Sequence, residues 1–239
     1  WLYALIVSID ANFKQKARAR PHDHLDPPLG PGMGCFVPNM PYMEEVAKQA
    51  DQEEISHCVG FSAIWNANTK KSKGLRATGV GSVVCACHGL FRPNGMGDLQ
   101  KGERYINMDC IFLLSLLGCG LHILFVTYDI ACQWSLKFYD RMKERPKEWH
   151  LPSQMKVTFK VPKFHLPAHI EKCHAPYALE YTEGVGEVDG EAPERNWSEL
   201  NCSARSLSMM AAGARFDTTD DICNDWNFEK TIDLGKRNS

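Results

Sequence analysis

Two apolar runs of this sequence end in aspartate. Trp1 to Ile9 (WLYALIVSI) runs into Asp10, and Leu121 to Tyr128 runs into Asp129. Runs of this kind read as buried strands, and in open α/β sheets functional groups gather at the carboxyl ends of strands. Neighbouring strands would bring both carboxylates into one cleft. A third carboxylate, Glu194, stands three residues before Trp197, on a stripe continued by Leu200, Ala204, Leu207 and Ala211, with Pro193 suited to the first helical position. Converging carboxylates are hard oxygen ligands for Mg²⁺ or Mn²⁺. Two such ions about 4 Å apart activate a water and stabilise the leaving oxygen in phosphoryl transfer. Each acid alone has a plainer reading: Asp10 and Asp129 as turn starters or helix N-caps, Glu194 as a charge favoured by a helix dipole. Glu191 competes as the third carboxylate if its helix begins sooner.

Other residues have metal-ligating or anion-binding chemistry. His165, His169, Cys173 and His174 (FHLPAHIEKCH) have spacing that suits zinc, with Pro167 starting a short helix that puts His169 and Cys173 one turn apart on one face. No further pair completes four ligands nearby, so packing or support of the site is the competing role for His165, His169 and Cys173. Cys85, Cys87 and His88 read as core residues of a strand. Gly184 to Gly190 lacks the strand–loop–helix context and the lysine of a phosphate loop, and reads as a loop that presents Glu191 and Glu194. Two basic runs, Lys14, Lys16, Arg18 and Arg20, then Lys70, Lys71, Lys73 and Arg76, are solvated surface or contacts to a phosphate backbone with strong salt dependence. Trp134 and Trp197 read as core anchors.

The elements that must position these groups follow from pattern. Thr78 to Phe91 reads as one or two strands turning near Gly89, Gly102 to Leu117 as a helix, Ile130 to Lys143 as a helix with Ala131, Trp134, Phe138 and Met142 on one face, and Val157 to Phe164 as a strand. Strands and helices in this order predict an α/β sheet with helices packed on it. Residues 21–76 are expected to be a partly irregular, partly helical insertion after the first strand, because proline and glycine recur across Pro21 to Pro41. The 239 residues, 44% hydrophobic and 23% charged, suit one globular domain and exclude wholesale disorder. With 27 Lys and Arg against 29 Asp and Glu, the net charge of −2 excludes a uniformly basic coat while allowing local basic patches. Ten cysteines without a CxxC pair point to a reducing intracellular compartment. Cys110 to Val126 is short for a membrane span and punctuated by Gly118 and Gly120, so a helix, a turn and a strand are expected there. The start at Trp1, inside an apolar run, reads as that of a fragment.

Five strings occur in a set order: Ser8 to Phe13 (SIDANF), Cys85 to Gly89 (CACHG), Lys101 to Tyr105 (KGERY), Tyr128 to Trp134 (YDIACQW) and Gly190 to Ser198 (GEAPERNWS). Over roughly residues 3–230 the chain resembles the Kyakuja-Dileera-Zisupton transposases. Cys87 departs from that family's pattern, where an Arg is expected. The resemblance implies an RNase H-like fold and a DDE triad made of Asp10, Asp129 and a glutamate of the last string. The Glu-Arg-x-aromatic-Ser pattern, similar to the glutamate motif of hAT transposases, selects Glu194 over Glu191. It further implies metal-dependent cleavage and joining of DNA, with Mg²⁺ or Mn²⁺ held by Asp10, Asp129 and Glu194, and Arg195 and His165 available to contact phosphate or support the ligands. Transposon ends and target DNA are the implied partners, in the nucleus, with room for a homo-oligomer and no membrane. The alternative reading is a non-catalytic relic that binds DNA or protein.

Overall fold

The computed structural model describes residues 3–30, 34–49 and 73–237. Its centre is a five-stranded mixed sheet. Strand β1 (Ala4–Asn12) pairs antiparallel with β4 (Gly79–Cys85), which pairs antiparallel with β5 (Phe91–Leu99). On its other side β1 runs parallel to β6 (Ile123–Tyr128), and β6 runs parallel to β7 (Lys156–Lys160). The order across the sheet is β5-β4-β1-β6-β7, while β2 (Ala17–Arg18) and β3 (Leu75–Ala77) form a small separate ribbon. The molecule is therefore α/β, with helices on both faces of a mixed sheet.

Period-two alternation sorts the faces. Val7 and Ile9 of β1, with Leu124, Val126 and Tyr128 of β6, enter the main core beneath helix α2 (Tyr105–Ser115). Ile106 to Ser115 are all buried, so this helix has no polar face of its own. The next helix starts as α3 (Ala131–Trp134), passes through a tighter turn and resumes as α4 (Phe138–Lys143), a break inside the single helix expected over 130–143. The cause is legible in the core: Trp134 packs against Phe112, Tyr128, Phe138 and Phe159, and its indole donates to Asp109. Arg141 reaches the same carboxylate, with Nε 2.6 Å from Oδ2, inside the core. Between α2 and β6 the chain turns at Gly118, φ +74°, a backbone state that side-chain-bearing residues resist.

The opposite face holds α6 (Ala192–Leu200), α7 (Ala204–Leu207) and the long α8 (Ala212–Arg237), packed on Val80, Val84, Phe91 and Met96. The spaced stripe from Trp197 to Ala211 is thus split over successive helical pieces instead of one helix. Outer strand β5 is guarded: Asn227 of α8 accepts from the Phe91 amide and donates to its carbonyl, and Phe36 bridges to Met96. The 34–49 segment, with α1 (Asn39–Ala47), adds Phe36, Val37, Tyr42 and Val46 to the core. Residues 50–72, the rest of the expected insertion's centre, lie outside the described residues. Cys85 ends β4, but Cys87 and His88 sit exposed in the following turn and not in the core. No described cysteine forms a disulfide, and no described helix is long and apolar enough to cross a membrane.

Candidate active site

Parallel pairing of β1 and β6 ends at Ile9 and Tyr128, so the next residues, Asp10 within β1 and Asp129 just past β6, lie at the same end of that pairing. Alternation turns both towards the α6 face, because their inward neighbours Ile9 and Tyr128 fill the core on the other side. Beneath them the Thr127 hydroxyl donates to Ser8 Oγ at 2.7 Å, closing the polar layer of the two strands. Glu191 is the N-cap residue of α6 and Glu194 lies in its first turn. The entry to that helix is set by Gly190 at φ +83°, where a Cβ would come within 3.1 Å of Pro162 Cα and 3.2 Å of Thr127 Oγ1. Only glycine lets the GEAPE turn descend this far onto the sheet.

His165 joins the acids. Its Nδ1 is 3.0 Å from Asp129 Oδ2, and its Nε2 is 3.4 Å from Glu194 Oε1 and 3.7 Å from Glu191 Oε2. Hydrogen bonding to Asp129 and then to Glu194 pushes the imidazole up to about 10, so at neutral pH it is a cation set among carboxylates. Asp10 accepts from the Trp197 indole at 2.5 Å. Its carboxyl is raised well above the usual range, first by burial and then by the charges of Asp129, Glu194 and Glu103, with Trp197 opposing the rise.

Glu103 is a residue to which the sequence reading gives no role. It precedes α2, accepts a hydrogen bond from the Tyr128 hydroxyl and is pushed up to about 7, by burial first and by Asp129's charge in addition. The KGERY string contains it, yet nothing in its spacing shows that the loop before α2 ends beside Asp129. Glu191 is also pushed up to about 7, mainly by burial. Its Oε1 accepts from the Phe164 amide at 3.0 Å, so it braces the loop that carries His165.

The pair Asp129 and Glu194, together with His165, fits a divalent cation, and Asp10 stands outside this close group. Asp129, His165 and Glu194 each offer a ligand atom within 4.8 Å of the others. Asp129 Oδ1 and Glu194 Oε2 are buried and have no hydrogen-bond partner among the described residues. Buried carboxylate oxygens left in this way are costly unless a cation or proton satisfies them.

The other candidates separate. Arg195 is exposed and forks onto Asp189, at 2.8 and 3.2 Å. His169 and Cys173 are buried together with Cys132, while His165 belongs to the carboxylates; the sequence spacing groups His165, His169, Cys173 and His174 and does not include Cys132. Lys14, Lys16 and Arg18 line a groove of about 370 Å³ with Arg205 of α7, which was not anticipated. Arg20 and Lys73 are exposed outside that lining, and Arg76 turns inward to Asp23 and Asp98. Lys70 and Lys71 lie outside the described residues. The groove is tied to the acids: Asn12 and Gln15, just after Asp10, donate to Asn201 Oδ1 and the Leu200 carbonyl, at the end of α6.

Comparison with curated proteins and with solved structures finds no match. The family model for the Kyakuja-Dileera-Zisupton (KDZ) transposase matches residues 3–227, a span that contains every acid of the cluster. The chain belongs to the KDZ transposase family, and its role is a transposase-related one.

Proposed function

We propose that the chain is the catalytic domain of a DDE-type DNA transposase, with Asp10, Asp129 and Glu194 as the ligands of Mg²⁺ or Mn²⁺. The observation that carries this reading is the pair of buried, unpartnered oxygens, Asp129 Oδ1 and Glu194 Oε2, beside an Asp10 whose carboxyl is raised by burial first and then by both acids. The sheet order, with β4 antiparallel to its neighbours and two acids where the parallel β1–β6 pairing ends, supports an RNase H-like core. Bound divalent ions would supply an activated water and neutralise charge on the leaving oxygen.

The chain's own groups do the positioning. Trp197 fixes the orientation of Asp10 through its N–H. Protonated His165 holds Asp129 and Glu194 together when no metal is bound, in place of the charge an ion would bring. Glu191 holds the His165 loop through the Phe164 amide, which leaves Glu194 as the third ligand. The groove of Lys14, Lys16, Arg18 and Arg205 starts four residues after Asp10, no more than about 14 Å of extended chain away, and suits the backbone of DNA engaged at the site.

Cleavage of DNA in Mg²⁺ or Mn²⁺ by the Glu194→Gln and Glu191→Gln variants tests the assignment. Gln keeps the shape and removes the charge that holds an ion, so Glu194→Gln should lose nearly all cleavage and Glu191→Gln should keep a reduced rate. Loss confined to Glu191→Gln would reverse the choice of ligand. A wild-type protein that binds DNA but never cuts it in either metal would instead support the non-catalytic alternative.

A further inference from the structure

We propose that Cys132, His169 and Cys173 form a zinc site, separate from the carboxylate cluster. Cys132 is the second residue of α3, His169 follows a single helical turn at Leu166–Ala168, and Cys173 lies in α5 (Glu171–Tyr177). All three are buried, and each offers a ligand atom within 4.8 Å of the other two. Cys132 Sγ is 3.3 Å from His169 Nδ1. In a tetrahedral zinc site with Zn–S of about 2.3 Å and Zn–N of about 2.0 Å, neighbouring S and N atoms lie about 3.5 Å apart. That edge of the site is already at bonding geometry.

The surroundings fit a metal clip. Ile170 and Tyr177 pack over the two cysteines. His174 Nε2 donates to the His169 carbonyl at 2.9 Å, which fixes the backbone that carries the ligand. Two thiolates and an imidazole are soft to borderline donors, a set that selects zinc over the Mg²⁺ suited to the carboxylates nearby. Three protein ligands leave one tetrahedral position for a water. The ion would bolt α3, which begins two residues after Asp129, to the segment that starts with His165. It therefore acts as a positioning element, with no part in the chemistry.

The proposal stands apart from the DNA-cleavage reading, and its test involves no DNA. The chelator-treated full chain is titrated with Co²⁺ in excess Mg²⁺, then with Zn²⁺. One equivalent of Co²⁺ should give a thiolate-to-cobalt charge-transfer band that one equivalent of Zn²⁺ bleaches. Cys132→Ser and Cys173→Ser should each abolish the band. Glu194→Gln, His165→Ala and the Cys85→Ser/Cys87→Ser double variant should keep it. On wild-type protein, where misfolding of a variant is not at issue, Zn²⁺ should slow amide exchange across residues 131–134 and 165–177. Absence of the band, its survival in Cys173→Ser, its loss in the Cys85/Cys87 double variant, unchanged exchange, or a Cys132–Cys173 disulfide in the isolated protein would each overturn the proposal.

Discussion

Glu103→Gln is expected to stabilise the metal-free protein, and to do so only as pH rises. Burial, with Asp129's charge behind it, moves the Glu103 carboxyl from 4.5 up to about 7. Because the folded-state value is the higher one, the unfolded chain releases this proton first. Below pH 4.5 both states hold it and the group has no net effect; stability is then lost as pH climbs from 4.5 through about 7. One pH unit in that window is worth about 1.4 kcal/mol, so the full loss has a ceiling on the order of 3 kcal/mol, lowered by water that reaches the half-buried side chain. Gln preserves the volume and an acceptor for the Tyr128 hydroxyl while deleting the charge. In thermal unfolding with chelator present, the two proteins should melt together near pH 4. By about pH 8 the variant should melt roughly 4–10 °C higher, given about 2–4 °C per kcal/mol for a chain of this size. Mg²⁺ should narrow that gap, because a cation relieves the wild-type acids more. A difference of the same size at every pH, or a less stable variant at pH 8, would refute the placement of Glu103 among the acids.

Joint replacement of Lys14, Lys16, Arg18 and Arg205 by Ala should weaken DNA binding for all sequences alike. It should also lower the slope of log affinity against log salt by up to about 0.9 for each lost phosphate contact, read by binding titrations at several salt concentrations. Asp109→Ala strands the Arg141 guanidinium in the core and should cost about 3–5 kcal/mol in denaturant unfolding.

Much of the framework could be read from the chain because burial leaves a periodic trace. The β1 and β6 runs and the acids that follow them come from local pattern, while the helix expected to begin at Pro193 starts one residue sooner, at Ala192, with Glu191 as its N-cap. What escaped depends on distant partners. β5 extends from Phe91 to Leu99 through Pro93, Gly95 and Gly97, residues that argue against a strand until the edge is seen to be covered by Phe36 and Asn227. Helix α8 has a mixed polar sequence, and its apolar residues Phe216, Ile222 and Trp226 gain meaning only against the β4–β5 face. Glu103 and Cys132 lay within strings already noticed, but which acid or thiol meets which neighbour is decided by where two loops end, and no periodicity encodes that.

The clasp between the chain after Asp10 and the chain after α6 has a consequence for the order of assembly. The hydrogen bonds Asn12–Asn201, Gln15–Leu200 and Asp10–Trp197 join residues 189, 185 and 187 positions apart. Contacts of such separation carry a large loop-closure entropy and form late in folding. During synthesis, β1 and β6 can pair while Glu194 is still unmade, so two acids wait for the third. A cation that needs all three binds only the finished fold, and by mass action its binding free energy is added to that state alone. Metal availability would then govern how long a completed molecule lasts, as well as whether it reacts.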